Sequence, residues 1–157
     1  MESTSNMRLS TPTDGPAAII LIRLMTGLVF FWEGLLKFVY VNQGVGRFTK
    51  LGFPMPEQLA HFVAVAEIVG GLLLLFGLYT RITALYFIVQ MIIAILSTKI
   101  GVLMGTSPLP LPPVPPQTGF WAMLHEIRSD WAQLLTSMFL YVCGPGTLSL
   151  DRRRKQG

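Results

Sequence analysis

Residues 58–79 read QLAHFVAVAEIVGGLLLLFGLY, a stretch long enough to cross a bilayer with an acid, Glu67, near its middle. A crossing helix needs ~20 mainly apolar residues. A carboxylate at the bilayer centre costs on the order of 2.5–3.5 kcal/mol on insertion scales. The apolar run at residues 68–78 offsets that at a few tenths of a kcal/mol per residue. The segment is therefore expected to insert with Glu67 in it. An acid at that depth faces the protein interior, so the rest of the chain can be asked whether it supplies polar company.

Composition agrees with a membrane protein, since 52% of residues are hydrophobic and only 13% are charged. A soluble domain carries about twice that charge. With 157 residues the chain makes one domain. Its net charge of +4 is distributed in a way that speaks of topology, so no nucleic-acid partner is expected. One cysteine, Cys143, excludes an intramolecular disulfide, a dithiol redox pair and a cysteine-rich metal site. No metal-ligand pattern, nucleotide-binding glycine motif or nucleophile triad is present, so no metal and no intrinsic cofactor are expected. A redox role would need a borrowed cofactor.

Taken in order, residues 1–15 are polar, rich in Ser and Thr, and read as a disordered cytoplasmic tail without signal-peptide features. A first span follows at about 16–41, with Pro16 suited to a first helical turn and Arg23, Glu33 and Lys37 embedded in it. Glycines and prolines break the chain at 42–56 before the second span, about 57–79. Thr80 and Arg81 make so short a turn that the third span, about 82–99, must return antiparallel beside the second. Gln90 sits in its middle with Thr83 and Ser97 on the same face, and Lys99 closes it. Residues 101–119 contain PLPLPPVPP, expected to run as an extended polyproline-type crossing. The fourth span, about 120–144, draws His125, Glu126, Arg128 and Asp130 into one end, with Glu126, Asp130, Gln133 and Ser137 on one face. Residues 149–157 read as a basic cytoplasmic tail beyond a membrane domain covering 16–148.

The fold class expected is all-α: an integral membrane antiparallel four-helix bundle. Arg8, Arg81 and the Arg152, Arg153, Arg154, Lys155 cluster fall on one side, whereas Arg47, Lys50 and Lys99 fall on the other. The richer side is cytoplasmic, which places both termini in the cytoplasm. At a rise of ~1.5 Å per residue, Glu33, Lys37 and Glu67 come to similar or adjacent heights in the outer half, with Arg23 lower, where a long side chain can snorkel. Glu33 and Lys37 also form an i, i+4 pair in the favourable order. Gly34 shares a stripe with Arg23, Phe30 and Lys37, and Gly71 shares one with Ala60, Ala64 and Glu67, so small residues beside charges permit close helix contact. The ligand-binding or proton-carrying candidates are Glu67, Lys37, Glu33, Arg23, Gln90, Glu126 and Asp130, and the structural glycines are Gly34, Gly70 and Gly71. Two readings stay open: a buried ion pair that fixes register, or a polar pocket for a ligand or proton.

The chain resembles the DoxX family of small bacterial membrane proteins from residue 22 to residue 151. The matching residues are Arg23, Gly27, Gly34 and Lys37 in RLMTGLVFFWEGLLK, then Gly52 and Pro54 in LGFPMP. Glu67, Gly70, Gly71, Gly77, Thr80 and Arg81 follow in AEIVGGLLLLFGLYTRITAL, and the match closes with GPGTLSLD. Glu33 and the proline-rich loop lie outside these motifs. The resemblance implies a four-span bundle and, for some members, association with thiosulfate:quinone oxidoreduction or membrane-bound oxidative-stress complexes. On that footing the chain is expected to be an accessory or quinone-associated subunit of a membrane redox system. Its partners would be the lipid bilayer and a membrane redox protein or further copies of itself. The alternatives are a pure scaffold for a partner enzyme, or a haem protein ligated by His61 and His125.

Overall fold

The computed structural model describes residues 15–156, and all of the tail expected at 1–15 except Gly15 lies outside them. The described chain is all-helical. Four long helices, α1 (Ile19–Val39), α3 (Pro56–Phe76), α4 (Thr80–Met104) and α5 (Phe120–Cys143), are accompanied by the short α2 (Val45–Lys50) and α6 (Leu150–Gln156). Among the described residues α1, α3 and α4 are long and apolar enough to cross a membrane. Helix α5 has the same reach, but its first half carries the charges from His125 to Asp130.

The long helices form two close pairs, α1 with α3 and α4 with α5. The first pair is antiparallel and nearly backbone to backbone. A Cβ on Gly34 would lie 2.7 Å from the Ala64 carbonyl oxygen, and one on Gly71 would lie 2.6 Å from that of Gly27. Any side chain there would force the helices apart, which is what the small-residue stripes anticipate. Gly70 faces the other way, its Cβ position 2.6 Å from the Phe87 ring on α4. Phe87 in turn stacks on Phe30 of α1, with ring centroids 3.6 Å apart, tying the two pairs together across a core that includes Leu74, Ala84 and Leu140. Outward apolar residues such as Leu21, Trp32, Phe62, Ile82 and Val89 remain exposed, as expected for helix faces solvated by lipid.

Several element boundaries differ from those read in the sequence. Helix α3 stops at Phe76 because Gly77 adopts φ 64, and Gly77 and Leu78 donate back to the Leu74 and Leu73 carbonyls in a Schellman closure. The third span does not end at Lys99. Residues 100–104 are apolar and continue the helix until Gly105 takes φ 71, so Lys99 projects from within α4. The 42–56 link, expected to be non-helical, holds α2. The basic tail at residues 149–157, to which the sequence reading assigns no element, forms α6. The reason for α6 is Asp151, whose two carboxylate oxygens accept from the Tyr79 and Thr80 backbone N–H groups at 2.9 and 3.0 Å. These donors lie at the N-terminus of α4, which has no cap of its own, so a distant carboxylate satisfies them and anchors the tail.

Arg23 locks the same end of the molecule. Instead of snorkelling towards the membrane surface, as its position in the sequence predicts, it is 2% exposed. Its guanidinium donates to the Leu74 carbonyl at 2.9 Å, to Leu75 at 2.6 Å, to Pro145 at 3.2 Å and also to Leu148. The first two are carbonyls in the last turn of α3, that of Leu74 also accepting from the Gly77 N–H, and the last two belong to the GPGTLSL turn after α5. A buried guanidinium with its fork filled by carbonyls is satisfied as a structural clamp, and the motif residues Arg23, Gly77, Thr80 and Asp151 thus form one knot.

Candidate functional site: a polar cavity between the helix pairs

At the opposite end, away from the described termini, the two helix pairs enclose a cavity of about 510 Å³. Its walls come from α1, α2, α3, α4 and α5. Six of the seven candidates (Glu67, Lys37, Glu33, Gln90, Glu126 and Asp130) line it, whereas Arg23 sits in the knot described above and lines no part of it.

Glu67 is the centre of the polar wall and is 3% exposed. Its Oε2 meets the Lys37 Nζ at 2.6 Å, and its Oε1 accepts from Gln90 Nε2. One carboxylate on α3 therefore joins α1 and α4. Lys37 also donates to the Glu33 carbonyl oxygen one turn back at 3.3 Å, and the Glu33 carboxylate stands 3.9 Å away, half exposed. A second ion pair lies in the α4–α5 wall, where Lys99 Nζ reaches Asp130 Oδ2 at 3.0 Å. Neighbouring Gln133 is buried, and its Oε1 has no hydrogen-bond partner among the described residues. The same is true of Gln90 Oε1. Buried amide oxygens ordinarily find a donor, so these two are unsatisfied acceptors on residues that line one cavity.

The remaining lining is apolar. Phe62 of α3 and Val89 and Ile93 of α4 line the cavity and are also exposed on the outside of the molecule, so its wall on that side is lipid-facing hydrocarbon. Arg47, Phe48 and Leu51, from α2 and its end, contribute the wall nearest the loops. His61 stacks on Phe38 with centroids 5.6 Å apart, and His125 is exposed with its Nδ1 accepting from Arg128 Nη1 at 2.8 Å. Neither histidine lines the cavity, so the geometry gives the haem reading no site there.

Sequence reasoning missed Lys99, which it treats as a helix terminator, and Tyr86 and Arg47, which also line the cavity. It places Gln133 on the right face without a role. Lys99 and Asp130 are separated by the proline-rich loop, and no periodicity within either helix reveals the register between them.

These features define an all-helical membrane protein with a polar chamber set among apolar helices. The chain belongs to the DoxX family, whose model matches residues 18–100. It is 43% identical over 89% of its length to "Uncharacterized membrane protein Rv3486" of Mycobacterium tuberculosis (strain ATCC 25618 / H37Rv), covering 83% of that protein. It is 32% identical over 84% of its length to "Putative oxidoreductase CatD" of Bacillus subtilis (strain 168), covering 83% of it. It is 28% identical over 88% of its length to "Inner membrane protein YphA" of Escherichia coli (strain K12), covering 91% of it. No solved structure matches the chain.

Proposed function

We propose that this DoxX-family protein is an accessory subunit of a bacterial inner-membrane redox system, and that its cavity holds the headgroup of a quinone. The observation that carries this reading is the cavity's construction: about 510 Å³, with an ion pair and two buried amides on one side and lipid-facing hydrocarbon on the other. Ligand sites of roughly 300–1,000 Å³ hold a mainly apolar molecule oriented by a few polar groups. A ring with oxygen substituents fits between Lys37, Glu67 and Gln90, and its isoprenoid chain leaves past Phe62, Val89 and Ile93. The oxidoreductase name of the Bacillus subtilis relative points the same way.

With a single cysteine the chain brings no dithiol of its own. In this reading a partner protein delivers the electrons and this subunit binds and orients the quinone. Helix α5 counts as a fourth crossing, because it stays beside α4 from the Lys99–Asp130 pair to the Arg81 contact with the Val142 carbonyl at 3.1 Å. The Lys and Arg distribution then puts both termini in the cytoplasm.

The test is binding of decyl-ubiquinone to the protein in lipid nanodiscs, with empty nanodiscs subtracted. Val63→Trp fills the cavity from α3 and is expected to weaken binding at least tenfold while the unfolding midpoint stays within a few degrees. Undiminished binding by a folded Val63→Trp protein would refute the site. A pure scaffold would bind no quinone in either form of the protein.

A further inference from the structure

The polar groups of the cavity have a direction that separates the two oxidation states of a quinone, a distinction that rests on the quinone site proposed for this cavity. Gln90 is oriented by its neighbour. Glu67 accepts on both carboxylate oxygens, one from Lys37 and one from Gln90, so the amide of Gln90 must turn its NH₂ towards Glu67 and its oxygen away. Gln90 lines the cavity, and that oxygen is buried and without a hydrogen-bond partner among the described residues. Gln133 of α5, which also lines the cavity and is 5% exposed, carries a second unpartnered amide oxygen. Lys37 and Lys99, the ammonium donors on these walls, already face Glu67 and Asp130 at 2.6 and 3.0 Å. Among the described residues that line the cavity, the buried side-chain atoms without a hydrogen-bond partner are these two amide oxygens, both acceptors.

We propose that the cavity binds the dihydroxy, reduced form of a quinone more tightly than the oxidised form, with Gln90 Oε1 and Gln133 Oε1 accepting from the ring hydroxyls. A hydroquinone carries two O–H donors. A quinone carries only carbonyl acceptors. Placing an acceptor against a buried amide oxygen leaves both unsatisfied, whereas a hydroxyl satisfies the amide, and each such difference is worth on the order of tenfold in affinity. Sites built to hydrogen-bond a hydroxyl reject the analogue lacking it for this reason. The consequence for the couple is thermodynamic. Quinone takes up two electrons and two protons to give hydroquinone, and each tenfold preference for the product raises the midpoint potential of the bound couple by ~30 mV. The subunit would thus favour reduction of its quinone and retain the product.

The experiment compares decyl-ubiquinone with decyl-ubiquinol, the latter under argon, by calorimetric titration of the full chain in nanodiscs. Wild type is expected to hold decyl-ubiquinol at least tenfold more tightly. Gln90→Met and Gln133→Leu are each expected to shrink that ratio towards one, mainly by weakening the ubiquinol. Equal affinities, or tighter decyl-ubiquinone, in the wild type would overturn the inference while leaving quinone binding intact. Binding of neither ligand would remove the underlying reading as well. A full wild-type ratio in both variants would overturn the assignment to the amide oxygens. Should Gln90→Met not fold, Gln133→Leu and the wild-type ratio decide the matter.

Discussion

Replacing Lys37 and Glu67 one at a time should have unequal effects, because the two residues are partnered unequally. Glu67 is 3% exposed and, among the described residues, has Lys37 as its only cation within ion-pair distance, with Gln90 as its second donor. Lys37→Met therefore leaves a buried carboxylate held by one amide, a loss on the order of 3–5 kcal/mol. Lys37 is placed differently. When Glu67→Gln removes the charge, Lys37 keeps the Glu33 carbonyl at 3.3 Å and the Glu33 carboxylate 3.9 Å away, which is half exposed and reachable by solvent. Glutamine also retains an oxygen to accept from the ammonium and a shape that fits. The cost should then be nearer ~1–3 kcal/mol, that of weakening a charge-assisted hydrogen bond. In the double variant the unpaired carboxylate is gone, so part of the larger loss returns, with a coupling of roughly 0.5–3 kcal/mol. The assay is denaturant titration in mixed micelles, followed by circular dichroism, on wild type, both single variants and the double. Strictly additive effects, or a larger loss for Glu67→Gln than for Lys37→Met, would refute the reasoning.

Gly34→Ala should destabilise the protein by ~1–3 kcal/mol through overpacking against the Ala64 carbonyl. At an unconstrained helix position the same change stabilises by about 1 kcal/mol, so the sign of the shift in unfolding midpoint is the test. Arg23→Met strips the charged donor from the Leu74, Leu75, Pro145 and Leu148 carbonyls. It should cost at least ~3 kcal/mol, and a normal melting curve would show that the knot is not what holds this end. In a Cys143→Ser background, single cysteines at Gln43 or Val114 should react with a membrane-impermeant thiol reagent in intact spheroplasts, while one at Gln156 should not. Labelling at position 156 alone would invert the topology.

The helical membrane class, the stripes of small residues and the polar role of Glu67 are legible in the residue order, because each depends on local period, length and the cost of a charge in hydrocarbon. Depth arithmetic brings Glu33, Lys37 and Glu67 to neighbouring heights, since height within each span follows from counting residues from its end. Other assignments need the packed molecule. Arg23 has the sequence signature of a snorkelling arginine. Only the meeting of the end of α3 with the turn after α5 makes it a clamp. Lys99 looks like a helix terminus in the sequence, and Asp130 like a headgroup charge. Their pairing at 3.0 Å is set by the register between α4 and α5, which the fifteen-residue loop at 105–119 leaves undetermined. The orientation of Gln90, and with it the acceptor character of the cavity, likewise arises from three helices meeting at one carboxylate. Periodicity assigns a residue to a face of its own helix. Which face of which neighbour it meets is decided by close packing between helices far apart in the chain, and no pattern within a single segment encodes that.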